Sequence, residues 1–320
     1  MYRAIEDNVL NGIQLSDDEI YRLVKIDNPI NLISLADKIR RKFKGKRIKT
    51  CSIINAKSGM CDQDCAFCGQ SSYHKTKISK YPLLDTEAIV KSATDAAHNG
   101  ATEFSIVTSG KSINSRDEIR KIKDAIKQIK SKTSMECCAS LGVLSKDFLE
   151  ELKDAGLDRY HHNLETCPSF FSQICTTRHY CENIDTIKAA KEAGLITCCG
   201  GIFGMGESPE QRIELALTLR ELDPDSIPIN FLNPIKNTKL ENMSLLAPLE
   251  ALKTIAIFRI VFPTKDIIIC GGREVTLRSL QPMMFPAGAN GMIIGDYLTT
   301  KGKSVQDDLD MLKDLGMDNE

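Results

Sequence analysis

The residues best placed to do chemistry are three thiols in one short segment, Cys61-Asp-Gln-Asp-Cys65-Ala-Phe-Cys68-Gly69-Gln70. Their spacing is C-x3-C-x2-C, with Phe67 just before the third. A loop of that length can wrap three thiolates around one face of a cubane iron–sulfur cluster. Such clusters normally take four cysteine ligands. Three leave one iron without a protein ligand, free for a small molecule to chelate. The spacing is not that of a zinc site, which pairs C-x2-C with a second pair. An odd number of thiols is not a disulfide framework either.

Other residue types could complete a site. Gly200-Gly201-Ile202-Phe203-Gly204-Met205-Gly206-Glu207 is glycine-rich, which lets backbone approach a ligand closely or simply makes a turn. It is no phosphate loop, because no Lys-Ser/Thr follows. His161-His162-Asn163-Leu164-Glu165 puts 161, 163 and 165 on one face of a strand. His161 and His162 therefore point apart and do not ligate one metal together; one of them is a core histidine. Asn163 and Asn230 each carry an amide donor and acceptor. Arg178 is either a surface arginine or a planar fork for a carboxylate. Lys57, before the cysteine loop, is a substrate contact or a solvated lysine. Cys137-Cys138, Cys198-Cys199 and Cys270 lie on three different strands. They bring thiols to one cavity or are simply buried. Cys51, Cys167, Cys175 and Cys181 are structural by default.

The elements that must position these residues alternate. Short apolar runs fall at Thr50–Asn55, Glu103–Thr108, Ser134–Ala139, Arg159–Leu164, Ile196–Phe203, Ser226–Leu232, Asp266–Cys270 and Gly291–Ile294. Helical periods separate them, and Gly100, Gly156 and Gly194 follow three of those helices as C-cap glycines do. Eight strands in β-α alternation predict an α/β fold, a (β/α)8 TIM-type barrel. Its active site belongs at the C-terminal strand ends, where the polar and sulfur residues fall. Residues 1–45 read as an N-terminal helical extension, with Ser16 as a helix cap, and 46–320 as one barrel domain. Among 320 residues, 42% are hydrophobic and the net charge is −1, so nothing favours nucleic acid or an anionic membrane. No 18-residue apolar run and no apolar signal region is present, so the expected compartment is the cytoplasm. There, 12 cysteines point to metal or redox chemistry rather than disulfides.

The C-x3-C-x-aromatic-C loop is similar to the signature of the radical S-adenosylmethionine (SAM) superfamily. From about residue 45 to 315 the chain resembles the biotin synthases within it. The matching segments are Cys61–Ser72, Tyr160–Glu165 with Thr166-Cys-Pro168, Thr176-Thr-Arg178, Gly200–Glu207, Pro228-Ile-Asn230, Gly272-Arg-Glu274 and Ala287-Gly-Ala-Asn290. The resemblance implies that Cys61, Cys65 and Cys68 hold a SAM-cleaving [4Fe–4S] cluster. It places Phe67, Glu165, Arg178, Gly201 and Gly204 around SAM, and Lys57, His161, Asn163 and Asn230 around dethiobiotin. The implied reaction is sulfur insertion into dethiobiotin through 5′-deoxyadenosyl radicals, with sulfur from an auxiliary cluster deep in the barrel. A homodimer and an electron donor such as flavodoxin or ferredoxin come with it. The alternative is another radical SAM enzyme, a hydrogenase-cofactor maturase or an amino-acid mutase.

Familiar members hold a [2Fe–2S] auxiliary cluster with three Cys and one Arg. Carried across, those positions are Cys138, Cys198 and Arg273, and the third Cys position is Ser105 here. His161 and Glu165 also depart from the usual Asn and Asp. A hydroxyl is a poor, hard ligand for iron. The chain instead has extra thiols at Cys137, Cys199 and Cys270. This predicts a four-iron auxiliary cluster holding an exogenous sulfide. Its expected ligands are Cys138 and Cys198, with Cys199 turned inward by the following glycines or Cys270 as a third thiolate.

Overall fold

The computed structural model describes residues 2–113 and 115–319. Three helices, α1 (Tyr2–Leu10), α2 (Asp17–Leu23) and α3 (Pro29–Lys44), precede the first strand. At α2 the Glu19 amide donates to Ser16 Oγ (3.3 Å), and the Ser16 amide donates to the Glu19 carboxylate (2.9 Å). This reciprocal box satisfies two amides that a helix start leaves free. Apolar residues of α3 (Leu32, Leu35, Ala36, Ile39) are buried.

The barrel follows as β1 (Arg47–Lys57), α4 (Thr86–His98), β2 (Glu103–Thr108), α5 (Arg116–Lys132), β3 (Glu136–Ser140), α6 (Lys146–Asp154) and β4 (Arg159–His161). Two helices, α7 (Pro168–Ile174) and α8 (Tyr180–Glu192), then lead to β5 (Ile196–Cys198) and β6 (Gly201–Phe203). The chain continues through α9 (Pro209–Leu222), β7 (Ser226–Phe231), α10 (Pro248–Val261), β8 (Asp266–Ile269), α11 (Arg273–Leu277), β9 (Gly291–Ile293), α12 (Val305–Asp314) and β10 (Asp318–Asn319). All pairings among these strands are parallel, in the order β1-β2-β3-β4-β5-β7-β8-β9, and β9 pairs back to β1 through Cys51↔Ile293. That pairing closes the eight-stranded (β/α)8 barrel.

Helix ends account for the connections. Gly100, Gly156 and Gly194 have φ of +84°, +105° and +74°, the left-handed conformation that ends a helix without a Cβ clash. The helix α10 is buried almost all round, which fits its apolar sequence. The fifth barrel strand is not continuous. It breaks between Cys198 and Gly201, and β6 pairs with β7 and, through a single bridge at Gly201, with Glu165. A Cβ on Gly200 would lie 2.0 Å from the Pro228 carbonyl oxygen, so only glycine admits this approach. No helix among the described residues is long and apolar enough to cross a membrane.

Candidate active site

The cysteine loop leaves β1 at the C-terminal mouth of the barrel. Its ends are tied by Cys61 N–H to Gln70 O (3.1 Å) and Ser72 N–H to Cys61 O (2.8 Å). Asp64 fastens the loop to the segment before α8. It accepts from the Thr176 amide (2.8 Å) and hydroxyl (2.6 Å), and its own amide donates to Thr177 Oγ1 (3.1 Å). Burial works to raise the Asp64 carboxyl, but these hydrogen bonds hold it well below the usual carboxylate range. The same attachment brings Arg178 beside the thiols. Arg178 makes no hydrogen bond or ion pair among the described residues, and its Nε is buried without a partner. An orphaned, half-buried guanidinium next to the loop is what a ligand carboxylate requires.

The thiols suit a cluster. Burial pushes Cys68 up to about 11, while the amides of Gln70 and Ser71 favour its thiolate. Burial also raises Cys61, opposed by the amides of Gln63 and Gly110. Amides aimed at sulfur stabilise the anionic form that iron binds. Cys65 differs: a hydrogen bond shared with Cys175, together with burial, pushes Cys65 up and pulls Cys175 down to about 6, so the Cys65 S–H donates to Cys175 until a metal takes its proton's place.

Below the loop lies a cavity of about 270 Å³ inside the barrel. Its wall near the mouth includes Phe67, Asn163, Glu165 and Asn230. Asn163 Oδ1 accepts from the Gly200 amide (3.2 Å), and Asn230 Oδ1 accepts from the Gly271 amide (3.0 Å). These bonds orient both amides while their NH2 groups make only long contacts of 3.4 Å. Glu165 has φ +67°, a strained conformation for a side-chain-bearing residue. Its carbonyl accepts from Ile202 N–H (2.8 Å), and a Cβ on Gly201 would strike that carbonyl at 2.7 Å. Gly204, with φ +90°, starts a turn whose amides at 204 and 205 donate to Glu207 (2.8 Å each). Burial pushes the Glu165 carboxyl up, opposed by Arg178.

Strand alternation holds along the fourth barrel strand: residues 159, 161, 163 and 165 line the cavity. His162 faces the other way, with Nε2 3.0 Å from Asn183 Oδ1 on α8. Burial pushes His161 down to about 4 and His162 to about 3, so both rings are neutral at pH 7.

Deeper down, four thiols line the wall. Cys51 from β1, Cys138 from β3, Cys198 from β5 and Cys270 just past β8 all line the cavity, and none is in a disulfide. Burial pushes all four up, Cys198 to about 11. A metal bound to them would release protons. No three His, Cys, Asp or Glu side chains among the described residues close on a single ion. Thiols spread around a cavity suit a multi-iron cluster better than one metal. Ser105 lines the same cavity beside Cys138 in register.

Several expectations need correction. Cys199 does not turn inward. Its amide donates to Ser226 O (3.0 Å), the alternation persists, and the thiol is fully buried in the packing between strands and helices. Cys137 lies on the same outer face. Arg273 is not at the cavity. Gly272, with φ +80° and a Cα pressed against Phe231 O, turns the chain into α11. Arg273 then pairs with Asp308 of α12 (2.5 Å), with both side chains fully buried. Lys57 is displaced by a register shift between Asn55 and Lys57. It pairs with Glu118 (2.8 Å) and borders a separate surface cleft with Asp62 and Lys111. Sequence reasoning missed Cys51 and Arg159, both cavity residues. The alternation through Ile53 on β1 was the available signal for Cys51.

The barrel and its cysteine loop define a radical SAM protein, and the Radical SAM superfamily model matches residues 57–219. The Biotin and Thiamin Synthesis associated domain matches residues 228–318. Proteins named biotin synthase are 47% identical in Geotalea uraniireducens, over 98% of this chain and 96% of that one, and 49% identical in Carboxydothermus hydrogenoformans, over 98% of each. A third, from Syntrophus aciditrophicus, is 52% identical over 88% of this chain and 87% of its own. The chain belongs to the biotin synthase family. Solved structures share the fold at low identity. Methylornithine synthase has a TM-score of 0.86 at 19% identity, covering 99% of this chain and 97% of its own. An FeFe-hydrogenase maturase from Carboxydothermus hydrogenoformans has 0.84 at 19%, covering 99% and 78%.

Proposed function

We propose that this chain inserts sulfur into dethiobiotin to form biotin by radical SAM chemistry, drawing the sulfur from an auxiliary iron–sulfur cluster. The observation that carries this is one barrel cavity with a three-thiol loop at its mouth and four further thiols in its depth. The lower set supplies the soft donors that a sulfur-donating cluster needs. When bound, the upper cluster and SAM supply the 5′-deoxyadenosyl radical that opens C–H bonds. Cys61, Cys65 and Cys68 hold that cluster, and Arg178 takes the SAM carboxylate. Phe67, Glu165 and the backbone at Gly201 and Gly204 border the adenosine side. Asn163 and Asn230 hydrogen-bond the ureido ring of the substrate, and His161 lies beneath it. The buried depth keeps water from the reacting carbon.

For the auxiliary site the favoured ligands are Cys138 and Cys198, joined by Cys51 and Cys270. Ser105 disfavours a [2Fe–2S] centre and four soft donors suit a four-iron cluster. If one iron carries an exogenous sulfide instead of a thiolate, that sulfide is the natural donor. An electron donor such as flavodoxin or ferredoxin and a homodimeric assembly accompany this reading. The test is anaerobic reconstitution followed by reduction with SAM and dethiobiotin present. Biotin together with dethiobiotin-dependent 5′-deoxyadenosine is the expected result. SAM cleavage indifferent to dethiobiotin, with no biotin, would move the assignment to another radical SAM reaction.

A further inference from the structure

Arg159 stands between the auxiliary thiols. It is 3% exposed, pairs in register with Cys138 across β3 and β4, and lines the cavity. Its terminal nitrogens are committed. Nη1 donates to Ser226 Oγ (2.7 Å), and Nη2 donates to Glu103 Oε1 (3.0 Å) and Glu136 Oε2 (2.6 Å). Those bonds fix the guanidinium plane. Its Nε is fully buried and has no partner among the described residues. A buried donor without an acceptor costs roughly 1–3 kcal/mol, and folded proteins rarely leave one so. Burial pushes Cys138 and Cys198 up, helped by the Glu103 carboxylate, and the nearby Arg159 cation opposes that rise at both. A protonated Nε has no lone pair to offer iron, but it can donate N–H to sulfur.

We propose that Arg159 is a positioning residue of the auxiliary site, donating its Nε–H to a sulfur atom bound among Cys51, Cys138, Cys198 and Cys270. Its charge offsets part of the negative charge that thiolates and sulfide bring into the barrel. This rests on the auxiliary-cluster reading above. Hydrogen bonds and positive charge beside a cluster stabilise its reduced, more negative state. Arg159 therefore holds the reduction potential of this centre up. It is a donor to sulfur and not an iron ligand, which separates its role from that of the four cysteines.

The experiment uses the full chain with Cys61, Cys65 and Cys68 changed to Ala, so that only the auxiliary cluster is seen. After anaerobic reconstitution, iron and sulfide content, the EPR-monitored potential and ENDOR of exchangeable protons are measured. They are compared among this parent, Arg159→Lys and Arg159→Met. The expected results are retained iron in Arg159→Lys, a more negative potential in Arg159→Met, and loss there of an exchangeable proton coupled to the cluster. Unchanged potential or an unchanged coupled proton in Arg159→Met overturns the proposal. Iron lost from both variants in a folded protein makes Arg159 a ligand and also overturns it. Should Arg159→Met misfold because Glu103 loses its partner, Arg159→Met with Glu103→Gln is read against Glu103→Gln alone by the same criteria. A parent without iron refutes the auxiliary cluster itself, before any Arg159 variant is compared.

Discussion

His161 Nδ1 lies 3.3 Å from Cys198 Sγ. While Cys198 is a thiol the ring nitrogen accepts a hydrogen bond from its S–H, and once the sulfur is a thiolate the other neutral tautomer donates Nδ1–H to it. Burial, with the Arg159 charge behind it, keeps this imidazole uncharged at pH 7. Among the described residues that line the sulfur-bearing depth of the barrel, Arg159 is the one cation, paired with Glu103, beside a neutral hydrogen-bonding ring.

The first prediction concerns the loop thiols. Changing Cys61, Cys65 or Cys68 to Ala abolishes SAM cleavage while thermal unfolding changes little, because the loop lies outside the main packed core. The check is 5′-deoxyadenosine release beside a melting curve. Undiminished release from any of the three variants removes that thiol from the cluster.

The mouth amides set substrate affinity. Asn163→Ala or Asn230→Ala leaves a buried partner unsatisfied at roughly 1–3 kcal/mol, so dethiobiotin binding weakens about tenfold or more. Iron content stays unchanged. Calorimetric titration with dethiobiotin decides it, and equal affinity in both variants would move the substrate elsewhere.

Iron counting distinguishes the auxiliary centre. Two four-iron clusters give about eight irons per chain after reconstitution, against about six for [4Fe–4S] plus [2Fe–2S]. Cys51→Ala and Cys270→Ala should lower the count, whereas Cys199→Ala should leave it unchanged, since that thiol faces the outer packing. Mössbauer spectra dominated by a two-iron component would refute the four-iron centre.

Acid sensitivity follows from His162. Its folded pKa of about 3 lies below the ordinary 6.5 because of burial. The unfolded chain therefore binds a proton that the folded one does not. Stability is unaffected above about pH 6.5 and falls as pH drops from there toward 3, by up to ~1.4 kcal/mol per pH unit. Urea midpoints at pH 7 and pH 5 should separate by less in His162→Gln than in the parent. Equal separations would show that another group carries the acid response.

The Arg273–Asp308 pair holds α11 to α12. Asp308→Ala removes the buried carboxylate on Nη2 but leaves Arg273 its ion pair with Glu274 (3.3 Å) and its bonds to Tyr297 (3.1 Å) and Gln281 (3.2 Å), so it costs about 1–3 kcal/mol, read as a lowered denaturant midpoint. A loss below about 1 kcal/mol would mean that Glu274, Tyr297 and Gln281 hold Arg273 without Asp308.

The sequence by itself determined the cluster loop, the β-α alternation that closes the barrel, the caps at Ser16 and after the helices, and the inward set 161, 163 and 165. Each is local: ligand spacing, helical period, a cap, or the parity of one strand. Which thiols converge was decided only by the tertiary structure. Parity says that 198 and 199 face opposite ways, but not which way is inward. Sheet register, the Asn55/Lys57 shift and the turn at Gly272 bring Cys51 and Arg159 to the cavity while sending Cys199, Lys57 and Arg273 elsewhere. Those relations join residues far apart in sequence, and only pairing between strands and packing of helices can set them.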